Sequence, residues 1–333
     1  MAEVALNRTP VSVITGFLGS GKTTLINYLV SLDNLRDTAL IINEFGEIGL
    51  DHILVESSFE NTLLLENGCI CCSIRGDLVD TISDLFTNVT NGKIPAFSRI
   101  IIETTGLADP RPIVISIDEN LALRDRVRLD SVISTVDGVL GKNQMEKYQE
   151  ASIQIASSDV LLLTKGDISD NTTLENLMGA VNGINPTAPI REIVDGCIDP
   201  DELFNIDNNP NRQAQANIVR NGEKVGSAHN HIESVSITHD GTIPEEKLNY
   251  WLSMLYSLRP QNLVRMKGII WLEGKQEPLL LQAVGNSISP LKNLPNWTEP
   301  FIRTRLVIIY QGLHKDSLID SFRRHVLQVL GDF

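Results

Sequence analysis

The stretch "GFLGSGKTT" carries the spacing G-x-x-x-x-G-K-[ST] over residues 16–23. Phosphate oxygens are charged acceptors, so a loop that holds them must turn donors inward and keep side chains out of the way. Gly16, Gly19 and Gly21 let the backbone curl so that its N–H groups converge, with Ser20 and Thr24 completing the run. Lys22 adds a point charge for the β- and γ-phosphates, and the start of the following helix adds its dipole. The Thr23 hydroxyl is a candidate Mg2+ ligand. An apolar strand pattern precedes the loop and a helical pattern follows it, which is the context the motif requires. These residues predict a nucleotide site.

The base must be read elsewhere. "LLLTKGD" places Thr164, Lys165 and Asp167 at the end of an apolar strand, resembling the guanine-reading motif N-K-x-D of GTPases with Thr in place of Asn. A carboxylate at Asp167 accepts from both the N1–H and the exocyclic amine of guanine, a pair that adenine does not offer together. The Lys165 stem would pack over the base. GTP is therefore favoured over ATP, and an ATP-dependent kinase or ligase remains the competing enzyme class. "IIIETTGLADP" ends an apolar strand on Glu103, where a carboxylate reaches Mg2+ directly or through water. Gly106 could present its N–H to a γ-phosphate. "NEFGEIGLD", residues 43–51, stands where a first switch segment belongs, with Asn43, Glu44, Glu47 and Asp51 as its polar groups. Lys22 and Glu103 are the candidate catalytic residues. No general base stands out, and slow intrinsic turnover is expected.

"ENGCICCSI" crowds three of the chain's four cysteines into residues 69–72. Core packing sits poorly beside Asn67, Gly68 and Ser73, and a disulfide between adjacent Cys71 and Cys72 would be strained. Metal binding is the third option, and thiolates suit Zn2+ or Co2+, Ni2+ and Cu+. Three ligands in one short loop leave a coordination position open, as a carrier that releases its metal needs. Cys197 reads as a half-buried small residue. His229 and His231 in "AHNHIES" could share a metal but read more readily as solvated linker residues.

The elements that must position these groups are visible as alternation. "VSVIT", "TALIIN", "RIIIE", "SVISTV", "DVLLLT" and "PIREIV" read as strands, several apolar on consecutive positions as strands buried on both faces are. Helical patterns such as "KTTLINYLVSL" lie between them. The fold class predicted is α/β, a phosphate-loop NTPase domain with a mainly parallel sheet over residues 1–206. Residues 207–231 turn polar and read as a linker. Residues 232–333 predict a small C-terminal α+β domain, with a helix in "TIPEEKLNYWLSMLYSL" started by Thr242 and Glu245 at capping-box spacing. A length of 333 residues fits two domains.

Composition excludes some partners. A net charge of -14 with no basic run repels polyphosphate backbones and anionic membrane surfaces, so no nucleic acid and no membrane partner is expected. There is no secretory start, no run long enough to span a bilayer, and too few cysteines for a disulfide framework. A cytoplasmic protein with reduced thiols is the expectation.

Taken together, "TGFLGSGKTTL", "INEFGEIGLD", "LENGCICCS", "IIIETTGLADP", "LLLTKGD" and "LVRMKGIIWLEG" resemble the CobW family of metallochaperone GTPases, in its zinc-transfer branch. The resemblance spans nearly the whole chain. It implies a phosphate-loop GTPase domain plus a small C-terminal domain, and it makes C-x-C-C, here Cys69, Cys71 and Cys72, a metal-binding motif, with Glu47 as a further metal residue. The implied cofactors are GTP, Mg2+ and Zn2+. The implied partner is a client metalloprotein, and a homodimer is compatible with everything above. The cysteines lie in the chain between the first switch segment and Glu103, so hydrolysis would change metal affinity. A metal-sensing regulatory GTP-binding protein remains the alternative, as does a cobalt or iron insertion GTPase serving cobalamin synthesis or nitrile hydratase maturation. The short "AHNHIES", in place of the family's His-rich tract, argues against bulk metal storage.

Overall fold

The computed structural model describes residues 8–42, 62–64, 70–73, 77–204, 232–295, 297, 299 and 301–328. The first half alternates as expected: β1 (Thr9–Gly16), α1 (Lys22–Ser31), β2 (Thr38–Ile42), β3 (Thr62–Leu64), β4 (Ile70–Ser73), α2 (Leu78–Thr90), β5 (Arg99–Glu103), α3 (Arg111–Glu119) and β6 (Val127–Asp137). It continues through α4 (Gly141–Lys147), α5 (Gln149–Ser157), β7 (Val160–Thr164), α6 (Asn171–Ile184) and β8 (Ile190–Glu192). Among the described residues these strands form one sheet in the order β3-β4-β2-β5-β1-β6-β7-β8. Every pairing is parallel except that of β3 with β4.

The consecutive apolar residues of these strands have a simple cause. Strand side chains alternate between faces, and here both faces are covered. Ile14, Leu40 and Leu162 pack with Leu25, Ile26 and Leu29 of α1 on one side. Val11, Val13, Ala39 and Ile41 pack with Ile82 and Leu85 of α2 and Val114 and Ile117 of α3 on the other. In the middle of the sheet β1 lies between β5 and β6, so the chain crosses it in going from one neighbour to the other. The crevice at the carboxyl ends of the strands near β1 is the switch point where α/β sheets bind ligands.

The remainder comprises β9 (Ile232–Asp240), α7 (Glu245–Leu258), β10 (Leu263–Ile270), β11 (Leu279–Val284), β12 (Ser287–Ile288), β13 (Lys292–Asn293), β14 (Arg303–Gln311) and α8 (Lys315–Phe322), which runs into a π-helical turn, Arg323–Leu327. Its antiparallel sheet has the order β12-β11-β10-β14-β9, with β13 on β11. Trp251, Leu255 and Phe322 from the helices fill the core against Leu263, Met266 and Ile308. The capping box does not form. Ile243 N–H donates to Trp271 O at 2.8 Å, which holds the chain extended up to Pro244. Pro244 is the N-cap without a side-chain hydrogen bond, so Thr242 lies too early to serve.

The two sheets share a core and a buried ion pair. Val264 of β10 and Ile309 of β14 pack with Ile155 and Ala156 of α5. Arg265, 2% exposed, donates to Ser157 O at 2.5 Å and pairs with Asp159. Asp159 also accepts from Val132 N–H at 3.0 Å, so its carboxylate joins β6, β7 and β10. No helix among the described residues is long and apolar enough to cross a membrane.

Candidate nucleotide-binding site

The loop after β1 has the shape its glycines predict, with positive φ at Gly16 (141°), Gly19 (74°) and Gly21 (94°). It is anchored from three sides. Phe17 is buried and stacks on Tyr148 with ring centroids 4.8 Å apart. Ser20 Oγ shares a hydrogen bond of 2.6 Å with Thr135 Oγ1 of β6. Lys22, 6% exposed, donates to Gly16 O at 3.0 Å and Phe17 O at 3.4 Å, so its ammonium lies over the loop it belongs to. Thr23 and Thr24 are exposed on the first turn of α1.

The turn after β7 is tied to the same loop. Thr164 Oγ1 donates to Ser20 O at 2.8 Å, and Lys165 Nζ donates to Gly19 O at 2.8 Å and to Asp137 Oδ2 at 2.7 Å. Thr164, where the guanine motif has Asn, thus braces the phosphate loop itself. Lys165 adopts a left-handed φ of 56°, a strained backbone that a non-glycine residue keeps only when its surroundings hold it. Asp167 follows, exposed, in a short 3-10 turn.

Asp137 was not singled out in the sequence, although "VDG" at a strand end hints at it. Burial opposes its charge, but the hydrogen bond from Lys165 and the N–H groups of Leu140 and Val139 outweigh this and hold it below the usual carboxylate range. A depressed folded-state value means that the stabilisation is complete above the unfolded value, about pH 4, and is lost as pH falls through the folded one. Urea midpoints from pH 6 down to pH 3 should therefore fall less steeply in Asp137→Asn than in wild type. Parallel curves would show that Asp137 carries no such linkage.

On the other side of β1, Glu103 ends β5 in register with Ile14 and with Ile42 of β2, and is 3% exposed. Thr104 N–H donates to Ile14 O at 3.0 Å, which starts the segment "TTGLADP" beside the phosphate loop. Gly106 is pressed against that loop. A Cβ there would come within 2.8 Å of Leu18 N and 2.9 Å of Leu18 Cα, so only glycine fits without displacing backbone. Two oxygen donors of the hard type that Mg2+ takes, Thr23 and Glu103, thus flank the loop, and they fit that ion.

A turn missed in the sequence lies near the start of α1. Asp195 and Gly196 have φ of 50° and 76°, Cys197 N–H donates to Val194 O at 2.9 Å, and a Cβ on Gly196 would stand 2.8 Å from Thr24 O. This turn leaves Cys197 exposed rather than half-buried. The dipeptide "DG" after a strand was its signal.

Cys71 and Cys72 lie on β4, paired with Leu40 and Ile41 of β2. Cys69, Glu47, Asn43, Glu44, Asp51, His229, His231 and the linker 207–231 lie outside the described residues. The site residues that are brought together are therefore those of the phosphate loop, Glu103, Gly106, Thr164, Lys165 and Asp167.

A curled, anchored phosphate loop at the switch point of a parallel sheet, with a lysine–aspartate turn bonded to it, defines a phosphate-loop nucleotide-binding protein. Residues 10–192 match the family described as "CobW/HypB/UreG, nucleotide-binding domain", and residues 232–326 match "Cobalamin synthesis protein cobW C-terminal domain". The chain belongs to the CobW family. It is 33% identical over 320 residues to "Zinc chaperone YjiA" of Escherichia coli, covering 95% of this chain and 98% of that protein. It is 27% identical over 355 residues to "Zinc chaperone CobW" of Pseudomonas aeruginosa, covering 96% and 92%. The crystal structure of Zn(II)-bound YjiA GTPase from E. coli superposes with a TM-score of 0.77 at 30% identity, over 96% of this chain and 99% of that one. A Zn(II)-bound YjiA triple mutant, with one glutamate and two cysteines changed to alanine, gives 0.78.

Proposed function

We propose that this chain, a GTPase of the CobW family, uses GTP hydrolysis to switch a zinc site built from Cys69, Cys71 and Cys72, with Glu47, and hands Zn(II) to a client metalloprotein in the cytoplasm. The observation that carries this reading is strand adjacency. β4, with Cys71 and Cys72, pairs with β2, and β2 pairs with β5, which ends in Glu103. Two strand spacings, about 10 Å, separate the cysteine strand from the strand that leads into the Gly106 segment. A shift there needs to cross only β2 to alter the metal ligands.

Each part of the nucleotide site has a task in this reading. Backbone N–H groups of residues 16–24 cradle the phosphates, and Lys22 neutralises charge on the β- and γ-phosphates. Thr23 and Glu103 would hold Mg2+, which when bound neutralises phosphate charge as the γ-phosphoryl leaves. Gly106 offers its N–H to the γ-phosphate, and Thr164, Lys165 and Asp167 hold the guanine. Residues 1–206 form the nucleotide module, 207–231 link it, and 232–333 recognise the client.

Zinc occupancy alone does not test the motif, because a YjiA variant with two cysteines removed is still Zn(II)-bound. Affinity does. Chelator competition under reducing conditions, with GDP and with a non-hydrolysable GTP analogue plus Mg2+, should give zinc affinities differing about tenfold. The difference should vanish in Cys71→Ser/Cys72→Ser. Equal affinities in both nucleotide states would remove the carrier mechanism and favour a metal-sensing regulator.

A further inference from the structure

Gln154 sits in α5 with 1% of its surface exposed. Its Nε2 donates to Gly106 O at 3.2 Å and to Ala108 O at 3.0 Å. Only the nitrogen of an amide can donate to two carbonyls, so these partners fix which way the group points. Its Oε1 has no hydrogen-bond partner among the described residues. Burying an amide oxygen without a donor costs stability, and a leucine or methionine would fill the same space without it, at the cost of the donor to the Gly106 and Ala108 carbonyls. Space-filling alone therefore does not account for a glutamine here; its two carbonyl partners, in the segment it grips, do.

That segment begins one residue after Glu103, and its Gly106 lies within van der Waals reach of the Leu18 backbone in the phosphate loop. Gln154 holds it through the two carbonyls that flank Leu107. α5 itself has little freedom to yield. Ile155 and Ala156 pack against Val264 and Ile309 of the second sheet, and the carbonyl of its last residue, Ser157, accepts from Arg265. The Gly106–Leu107 peptide is thus held at its carbonyl by a helix fastened to the C-terminal sheet, and Gly106, whose N–H is on the preceding peptide, lies against the phosphate loop.

We propose that Gln154 is a positioning residue for GTP turnover: it sets where the Gly106 N–H stands relative to the γ-phosphate, and touches neither nucleotide nor metal itself. The proposal rests on the reading of Gly106 given under the proposed function. Because GDP lacks the γ-phosphate, the residue matters to GTP and not to GDP. A merely structural role would affect both.

The test is Gln154→Met, which keeps length and apolar body but removes the donors, alongside Gln154→Asn, which withdraws the amide by one methylene. Binding of a fluorescent GDP and of a non-hydrolysable GTP analogue with Mg2+ is measured for each, with kcat and KM for GTP. GDP affinity is expected within about twofold of wild type, analogue affinity to fall about fivefold, and kcat to fall with it. Equal losses for both nucleotides, or none for either, in whichever variant folds overturn the role of Gln154 and leave the site reading standing. A wild-type chain that binds neither nucleotide would overturn the site reading and this proposal together.

Discussion

Replacing Lys22 with alanine is expected to lower GTP turnover about 10²–10³-fold while leaving GDP binding far less affected. The side chain is buried and its Nζ is held over the loop by the Gly16 and Phe17 carbonyls, so the charge is in place before nucleotide arrives. Preorganised charge in a water-poor site stabilises developing phosphoryl charge without reorganising at the moment of reaction. What remains in the variant, the inward N–H groups and the α1 dipole, still binds the α- and β-phosphates. Phosphate release under saturating GTP, with GDP titration as control, reads both quantities. Lys22→Arg should not restore turnover, because a planar five-donor fork does not reproduce the compact point charge held by the Gly16 and Phe17 carbonyls. Turnover within about threefold of wild type in Lys22→Ala would remove the lysine from the chemistry. It would also predict that zinc delivery survives the substitution, whereas the carrier reading requires that it be lost with the cysteines intact.

The parts of the site legible in the sequence are those built from neighbours in the chain. Gly16 to Gly21 forms one curled loop that runs straight into the first turn of α1, so its residue types state its task, and the turn of Thr164, Lys165 and Asp167 is equally local. The contacts that hold these pieces together were not legible. Ser20 meets Thr135, Lys165 meets Asp137, and Gln154 meets Gly106, because β1 lies between β5 and β6 and α5 is hydrogen-bonded to the segment that follows Glu103. Alternation predicts that strands and helices pair off, but it does not order them. "LVRMKGII" is illegible in another way. Arg265 and Lys267 are charged residues on a strand of which every residue is buried, and both charges are set against Asp159 across the boundary between the sheets. Ionic groups are buried only where a partner waits, and that partner lies over a hundred residues away in the chain.

Asp167→Asn is expected to weaken GTP binding about 10²-fold and to raise affinity for xanthosine triphosphate. Guanine offers two adjacent donors, N1–H and the 2-amino group, and a carboxylate accepts both. The asparagine amide keeps one acceptor and sets an N–H2 against the other donor, so one hydrogen bond is exchanged for a repulsion. Xanthine has a carbonyl at position 2, and the same amide then matches it donor to acceptor. Geometry makes this an effect on the base alone. Thr164 and Lys165 tie the turn to Ser20 O and Gly19 O through groups other than the Asp167 side chain, which is exposed and free of that bracing. The phosphate loop should therefore keep its shape in the variant, and inorganic pyrophosphate should compete for it as before. Competition binding with GTP, ATP and xanthosine triphosphate separates the cases. If ATP displaces a bound analogue from wild type as well as GTP does, the turn does not read guanine and the kinase or ligase class returns. If the variant loses all three nucleotides alike, Asp167 supports the loop rather than the base. Only a loss confined to GTP, with a gain for the xanthine nucleotide, is what a carboxylate facing two guanine donors requires.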